Sequence, residues 1–186
     1  MVRTVAQCRN PGQVTLPGAT VHVMAYRFLV VFLCEALLLA SGPGAMAQER
    51  GEYASNLAAL YGEHQWVLAV REACNKTRPK QQADIDSALG VWRERHRQII
   101  DDLEARLAVM VKKASRDQMD YSRNYARSQS EVLRQREEER KQLLALPKED
   151  LQRLCTEFPG YLRDARSDIP RRLPEEFAAI YGKASP

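Results

Sequence analysis

The chain has 186 residues, 45% of them hydrophobic and 28% charged, which is the make-up of one globular domain and excludes a disulfide-only miniature or a disordered polyampholyte. Its formal charge of +4 includes Arg3, Arg9, Arg27 and Glu35 near the start, so the residues from Gln48 onward carry 25 basic and 23 acidic side chains. A net charge of about +2 excludes a strong overall pull towards nucleic acid or anionic lipid.

From Phe28 to Ala40 the sequence is apolar except for Glu35, and Arg27 precedes it. At about 13 residues this run is too short to span a bilayer, which takes about 20. Ser41, Gly42, Pro43 and Gly44 then break a helix, and Ala45-Met46-Ala47 places small residues at alternate positions, as a signal peptidase cleft requires. A signal peptide cleaved between Ala47 and Gln48 is predicted, with residues 1–47 as leader and a soluble form beginning at Gln48. A retained membrane anchor is the alternative. The segment before Met24 contains Pro11, Gly12, Pro17 and Gly18 and lacks apolar periodicity, so translation is expected to start at Met24. Cys34 follows bulky Leu33, which argues against a lipidation site.

Between Gly62 and Gly160 only Gly90 intervenes, and long helices are expected. A first helix over about 53–76 carries Tyr53, Leu57, Leu60, Tyr61, Trp66, Val67, Leu68 and Val70 on a broad apolar face, with Arg and Glu opposite. Pro79 stops it. A second, over about 80–112, repeats Ile85, Leu89, Trp92, His96, Ile99, Leu103, Leu107 and Met110 at spacings of three and four, the clearest periodic signal in the chain. Lys112 and Lys113 suit the negative end of its dipole. Ser115 and Gln118 form the pattern of a capping box, which starts a third helix running to about Leu146 through Met119, Tyr125, Val132, Leu133, Leu143 and Leu144. Pro147 opens a short helix with Leu151, Leu154 and Cys155, expected to end at Phe158-Pro159-Gly160. Residues 48–160 form the helical domain, and 161–186 a tail with Pro170, Pro174 and a last turn around Phe177, Ile180 and Tyr181.

Cys8 and Cys34 fall in the leader, which leaves Cys74 and Cys155, and two thiols in an exported chain are expected to pair. The pairing restricts topology. A single straight helix over 80–146 would be roughly 100 Å long, whereas bridged cysteines need α-carbons within about 7 Å. A reversal near 112–117 gives two arms of roughly 45 to 50 Å and returns Leu146 to Pro79. The predicted fold is therefore all-α: an antiparallel helical hairpin or bundle of three to four helices stapled by one disulfide.

The chemistry-bearing residues are sparse. His64 and His96 have no partner at metal-ligand spacing. A non-covalent haem site using a His with Met110 or Met119 lacks any Cys-x-x-Cys-His. Asp101, Asp102 and Glu104 would serve acid and base roles only if a cleft raised one pKa. Arg93, Arg95 and Arg97, mixed with Glu94 and Asp101, read as a salt-bridged helix face. The run from Gln135 to Lys141 carries both signs at helical spacing and is expected to protrude or meet a partner. Trp66 and Trp92 read as core. Asn75-Lys76-Thr77 matches a glycosylation acceptor, relevant only in a eukaryotic source. No nucleophile motif, phosphate loop or dinucleotide fingerprint occurs, so no cofactor and no metal are expected.

With its signal peptide, helical body, early cysteine and late Leu-x-x-Leu-Cys-x-x-Phe-Pro segment (Leu151 to Pro159), the layout over 48–160 resembles small periplasmic proteins of unknown function from Gram-negative bacteria. Leu146 to Leu151 is similar to the Leu-Thr-x-x-Gln pattern of periplasmic stress chaperones of the Spy type, but Pro147 replaces the Thr and the Gln is displaced to Gln152, so that function is not carried over. The expectation is a periplasmic or secreted, non-catalytic binding protein whose partner is a protein or envelope component. Nucleic acid is not expected as a partner, membrane contact is expected only through the leader before cleavage, and self-association is compatible. The alternatives are a chaperone-like stress protein with apolar area exposed in the hairpin groove, a hydrolase using Asp101, Asp102 or Glu104, and a haem-binding bundle.

Overall fold

The computed structural model describes the backbone of residues 14–16, 19–21 and 44–182 and the side chains of 51–182. Met24 and the apolar run from Phe28 to Ala40 lie outside the described residues. Ala45, Ala47 and Gln48 are described in backbone only. Apart from a two-stranded antiparallel ribbon, β1 (Val14–Leu16) and β2 (Ala19–Val21), with Val14 opposite Val21, the described structure is helical. Its helices are α1 (Gly44–Thr77), α2 (Gln82–Lys113), α3 (Gln118–Leu144), α4 (Lys148–Arg163), α5 (Ile169–Arg172) and α6 (Pro174–Tyr181).

Contacts between α1, α2 and α3 run up, down and up. A fourth column, α4 to α6, runs parallel to α2: Arg163 meets Asp84, Arg95 meets Leu162 and Ser167, His96 meets Ile169, and Arg106 lies against Tyr181. Short proline-started helices, α5 with Pro170 and α6 with Pro174, break this column into pieces because proline fits a first helical turn but not an interior. The segment read as a tail thus buries Ile169, Leu173 and Ile180 in the core.

α1 is the central helix. It touches α2, α3, α4 and α6, so the face expected to carry charge to solvent instead buries Glu63 and Gln65 along with His64. On α2 the periodic residues Ile85, Leu89, Trp92, His96 and Leu103 are buried as their spacing predicts. Thr77 closes α1 by donating its hydroxyl to Ala73 O at 3.0 Å, and Pro79 starts a 3-10 turn that leads into α2.

The reversal falls where it was expected, but the cap is two residues later. Asp117, not Ser115, is the N-cap of α3: its carboxylate accepts from Asp120 N at 2.8 Å, and Asp120 reaches back to accept from Arg116 N at 3.0 Å. Ser115 donates to Val111 O at 2.8 Å and accepts from Asn124 at 3.0 Å, which closes α2 instead. A carboxylate at the N-cap wins because it is the stronger acceptor beside the positive end of a helix dipole.

α4 does not stop at Phe158-Pro159-Gly160; it continues to Arg163 with Pro159 inside it. Pro159 removes one N–H, the one that would donate to the carbonyl of Cys155. Burial of Leu151, Leu154, Phe158, Tyr161 and Leu162 along one face holds the helix through that defect, and the Arg95 guanidinium caps its end. Arg95 donates to Leu162 O at 3.0 Å and to Ser167 Oγ at 3.0 Å, and pairs with Asp168 at 3.0 Å. A cation is favoured against the last carbonyls of a helix.

Candidate functional site

Cys74 and Cys155 are joined, with α-carbons 5.3 Å apart across a separation of 81 residues, and both are fully buried. The bridge ties the last turn of α1 to the middle of α4. Around it Arg78 N donates to Cys74 O at 2.7 Å, and the Arg78 guanidinium donates to Thr156 Oγ1 at 3.3 Å. The bridge is thus a structural staple set deep in the core, without the solvent access of a reactive thiol.

A second cluster sits at the waist of the bundle. Glu63 on α1 accepts from Arg172 of α5 at 3.1 Å, and both side chains are largely buried. Tyr161 of α4 lies beside them, its ring 6.1 Å from Trp66 and 6.3 Å from Phe158; burial, then the Glu63 charge, push its phenol upward. Glu139 turns inward from α3, and burial together with the charge of Glu63 pushes its carboxyl up to about 7. His64 is stacked on Trp92 with neither ring nitrogen hydrogen-bonded; burial first, then Arg93 and Arg136, push it down to about 4. This waist was not singled out in the sequence. The signal was nevertheless present, because Val132, Arg136, Glu139 and Leu143 recur at four, three and four, the inward stripe of an otherwise polar helix.

The residues singled out for chemistry are scattered. His96 is buried, with Nδ1 2.8 Å from Trp92 O and Nε2 accepting from Ile169 N at 3.4 Å; burial is the chief cause of its lowered pKa. Nδ1 thus bonds within α2 while Nε2 ties α2 to the fourth column, and Trp92 Nε1 adds a bond to Ser167 O at 3.0 Å. Met110 is half-buried and Met119 is exposed. Asp102 pairs with Arg106 at 2.6 Å, which lowers its pKa, and Asp101 and Glu104 face solvent. A lowered pKa is the wrong direction for a general acid at neutral pH. Among the described residues no group of three or more His, Cys, Asp or Glu could hold a metal ion, and no helix is long and apolar enough to cross a membrane.

The charged run on α3 packs sideways instead of projecting whole. Arg136 reaches Glu72 of α1 at 3.4 Å and Glu139 faces inward, while Arg140 pairs with Glu137 at 2.7 Å on the outside. Large exposed apolar side chains lie along both helices of the hairpin: Val91 is 55% exposed and Val109 51% on α2, Met119 72% and Leu133 53% on α3, with Val109 and Met119 beside the shared turn.

No protein-family model matches the chain, and neither the curated proteins nor the solved structures compared with it give a match. What the residues define is an all-α, disulfide-stapled bundle whose fourth column is segmented.

Proposed function

We propose that this chain is exported to the periplasm, cleaved after Ala47, and acts by binding an envelope component, not by catalysis. The observation that carries the reading is the placement of large exposed apolar side chains, Val91, Val109, Met119 and Leu133, on the α2–α3 hairpin, while the acidic candidates are spent on ion pairs or open to water. A buried disulfide and the lack, among the described residues, of a membrane-crossing helix fit an exported form. A chaperone-like role would want apolar area along the hairpin groove, but α1 packs against both α2 and α3 there.

The test takes the protein from its host after fractionation, weighs it intact before and after reduction, and places a photo-crosslinker at Met119 or, as control, at exposed Glu149. A mass beginning at Gln48, masked thiols and an adduct formed from position 119 alone are expected. Recovery in the cytoplasm with the leader attached, or equal labelling from both positions, would overturn the reading.

A further inference from the structure

We propose that the α2–α3 turn is a docking site for an anionic bilayer surface. The inference rests on the binding role above and names the chemistry of its partner. Lys112 to Arg127 contains Lys112, Lys113, Arg116, Arg123 and Arg127 against Asp117 and Asp120. This net +3 exceeds the +2 of the whole sequence from Gln48 onward, so everything else in that stretch sums to −1. A balance that looks neutral on average is segregated to one end of the molecule.

Lys112, Lys113, Arg116, Arg123 and Arg127 are all exposed. Asp117 and Asp120 are occupied in capping α3, with Asp120 3.6 Å from both Arg116 and Arg123. Lys112, Lys113 and Arg127 have no carboxylate at ion-pair distance among the described residues. Val109 and Met119 flank the turn with half or more of their area in water, and the Tyr121 and Tyr125 rings stand 5.8 Å apart one and two turns into α3. Cations, flexible apolar side chains and tyrosines together are the chemistry of a headgroup boundary, where cations meet lipid phosphates and the apolar groups enter the acyl edge.

The path of the chain agrees. Arg106 Nη1 donates to Tyr53 OH at 3.4 Å, and α1 continues nine residues further, back to Gly44, in the direction of the turn. The start of α1 at Gly44 therefore lies at the same end of the bundle as the cations.

The experiment uses the protein as recovered from its host and vesicles of phosphatidylcholine with or without about one third phosphatidylglycerol. Cosedimentation should require the anionic lipid, weaken with salt, and fall at least about tenfold for Lys112→Glu/Lys113→Glu/Arg116→Glu. The three sites are solvent-facing, and an unchanged helical spectrum with an intact disulfide verifies the fold. Met119→Trp supplies a reading local to the turn and independent of the leader: its emission should be quenched by brominated acyl chains, while Trp66 and Trp92 stay shielded. Binding that ignores charge reversal, with Met119→Trp unquenched, overturns the docking site. A discrete protein adduct from position 119 without vesicle binding also overturns it and leaves the binding role standing; loss of both ends both.

Discussion

At the end of the bundle where α1, α2 and α4 converge, Cys74, Ile85, Leu151, Cys155 and Phe158 are all buried, whereas around the turn, from Arg106 on α2 to Tyr125 on α3, no described residue is buried. The same two helices therefore contribute to a core at one end and mainly to a surface at the other. Packing holds the first region. The second keeps partly buried contacts such as Leu107 and Met110 and is otherwise held by helix-internal devices: a capped turn, and short-range pairs such as Arg106 with Asp102 and Arg123 with Asp120, each worth only a few tenths of a kcal/mol in water. The difference teaches that packing is uneven along the bundle axis, and under the proposed binding role the side chains released from the core are the ones free to meet a partner.

The contrast breaks most sharply if the staple is cut. In the chain-entropy model a bridge across 81 residues contributes about 4.5 kcal/mol, comparable with the net stability of a modest domain. Cys74→Ser/Cys155→Ser, or reduction of the native protein, should lower the unfolding free energy from urea titration by about that amount, and hydrogen exchange should rise most in α4 and the end of α1. Equal loss of protection in the α2–α3 turn would mean that the two ends do not behave separately.

Much of this was written in local pattern. The spacing of Ile85, Leu89, Trp92, His96 and Leu103 placed α2, and the arithmetic of two remaining thiols gave the reversal. What escaped was set by neighbours in space. Pro159 is a reliable stop only when no buried face spans it, and the Phe158 and Tyr161 that span it act through α1. Glu63 and Gln65 looked like a solvent face because nothing local says that α3 and the fourth column cover it. Ser115 and Asp117 are both good caps, and choosing between them needs the backbone geometry of the turn. Arg95 reads as one charge among several until the end of α4 arrives beside it.

The waist, between the two regions, should show opposing pH dependences. His64 is pushed from 6.5 down to about 4, so the unfolded chain binds the extra proton between those values and stability rises with pH there. Glu139 is pushed from 4.5 up to about 7, so the folded chain holds the extra proton and stability falls as pH rises through that window. Between 4.5 and 6.5 the two slopes oppose each other. Glu139→Gln removes one of them. It should stabilise the fold by about 2 kcal/mol near pH 8 and leave a stability that climbs steadily from pH 4 to 6.5. Urea unfolding at the two ends of the range measures this, and a variant weaker than the parent near pH 8 would mean that the Glu139 carboxylate is charged and well paired.

The smallest effect lies at the turn itself. Asp117 accepts the Asp120 N–H at 2.8 Å, and a lost N-cap of this kind costs about 1 kcal/mol. Because the first turns of α3 bury no side chain, that cost should be met by fraying in place, not by unfolding of the base. Asp117→Ala is then expected to leave the urea midpoint almost unmoved while amide exchange at Asp120 and Tyr121 quickens about fivefold. Ser115→Ala should quicken exchange at the end of α2, where its hydroxyl donates to Val111 O, and change α3 less. The reverse order would return the cap to Ser115 and Gln118. A large drop in midpoint from Asp117→Ala would show that the turn is coupled to the core, and the two ends would have to be treated as one cooperative unit.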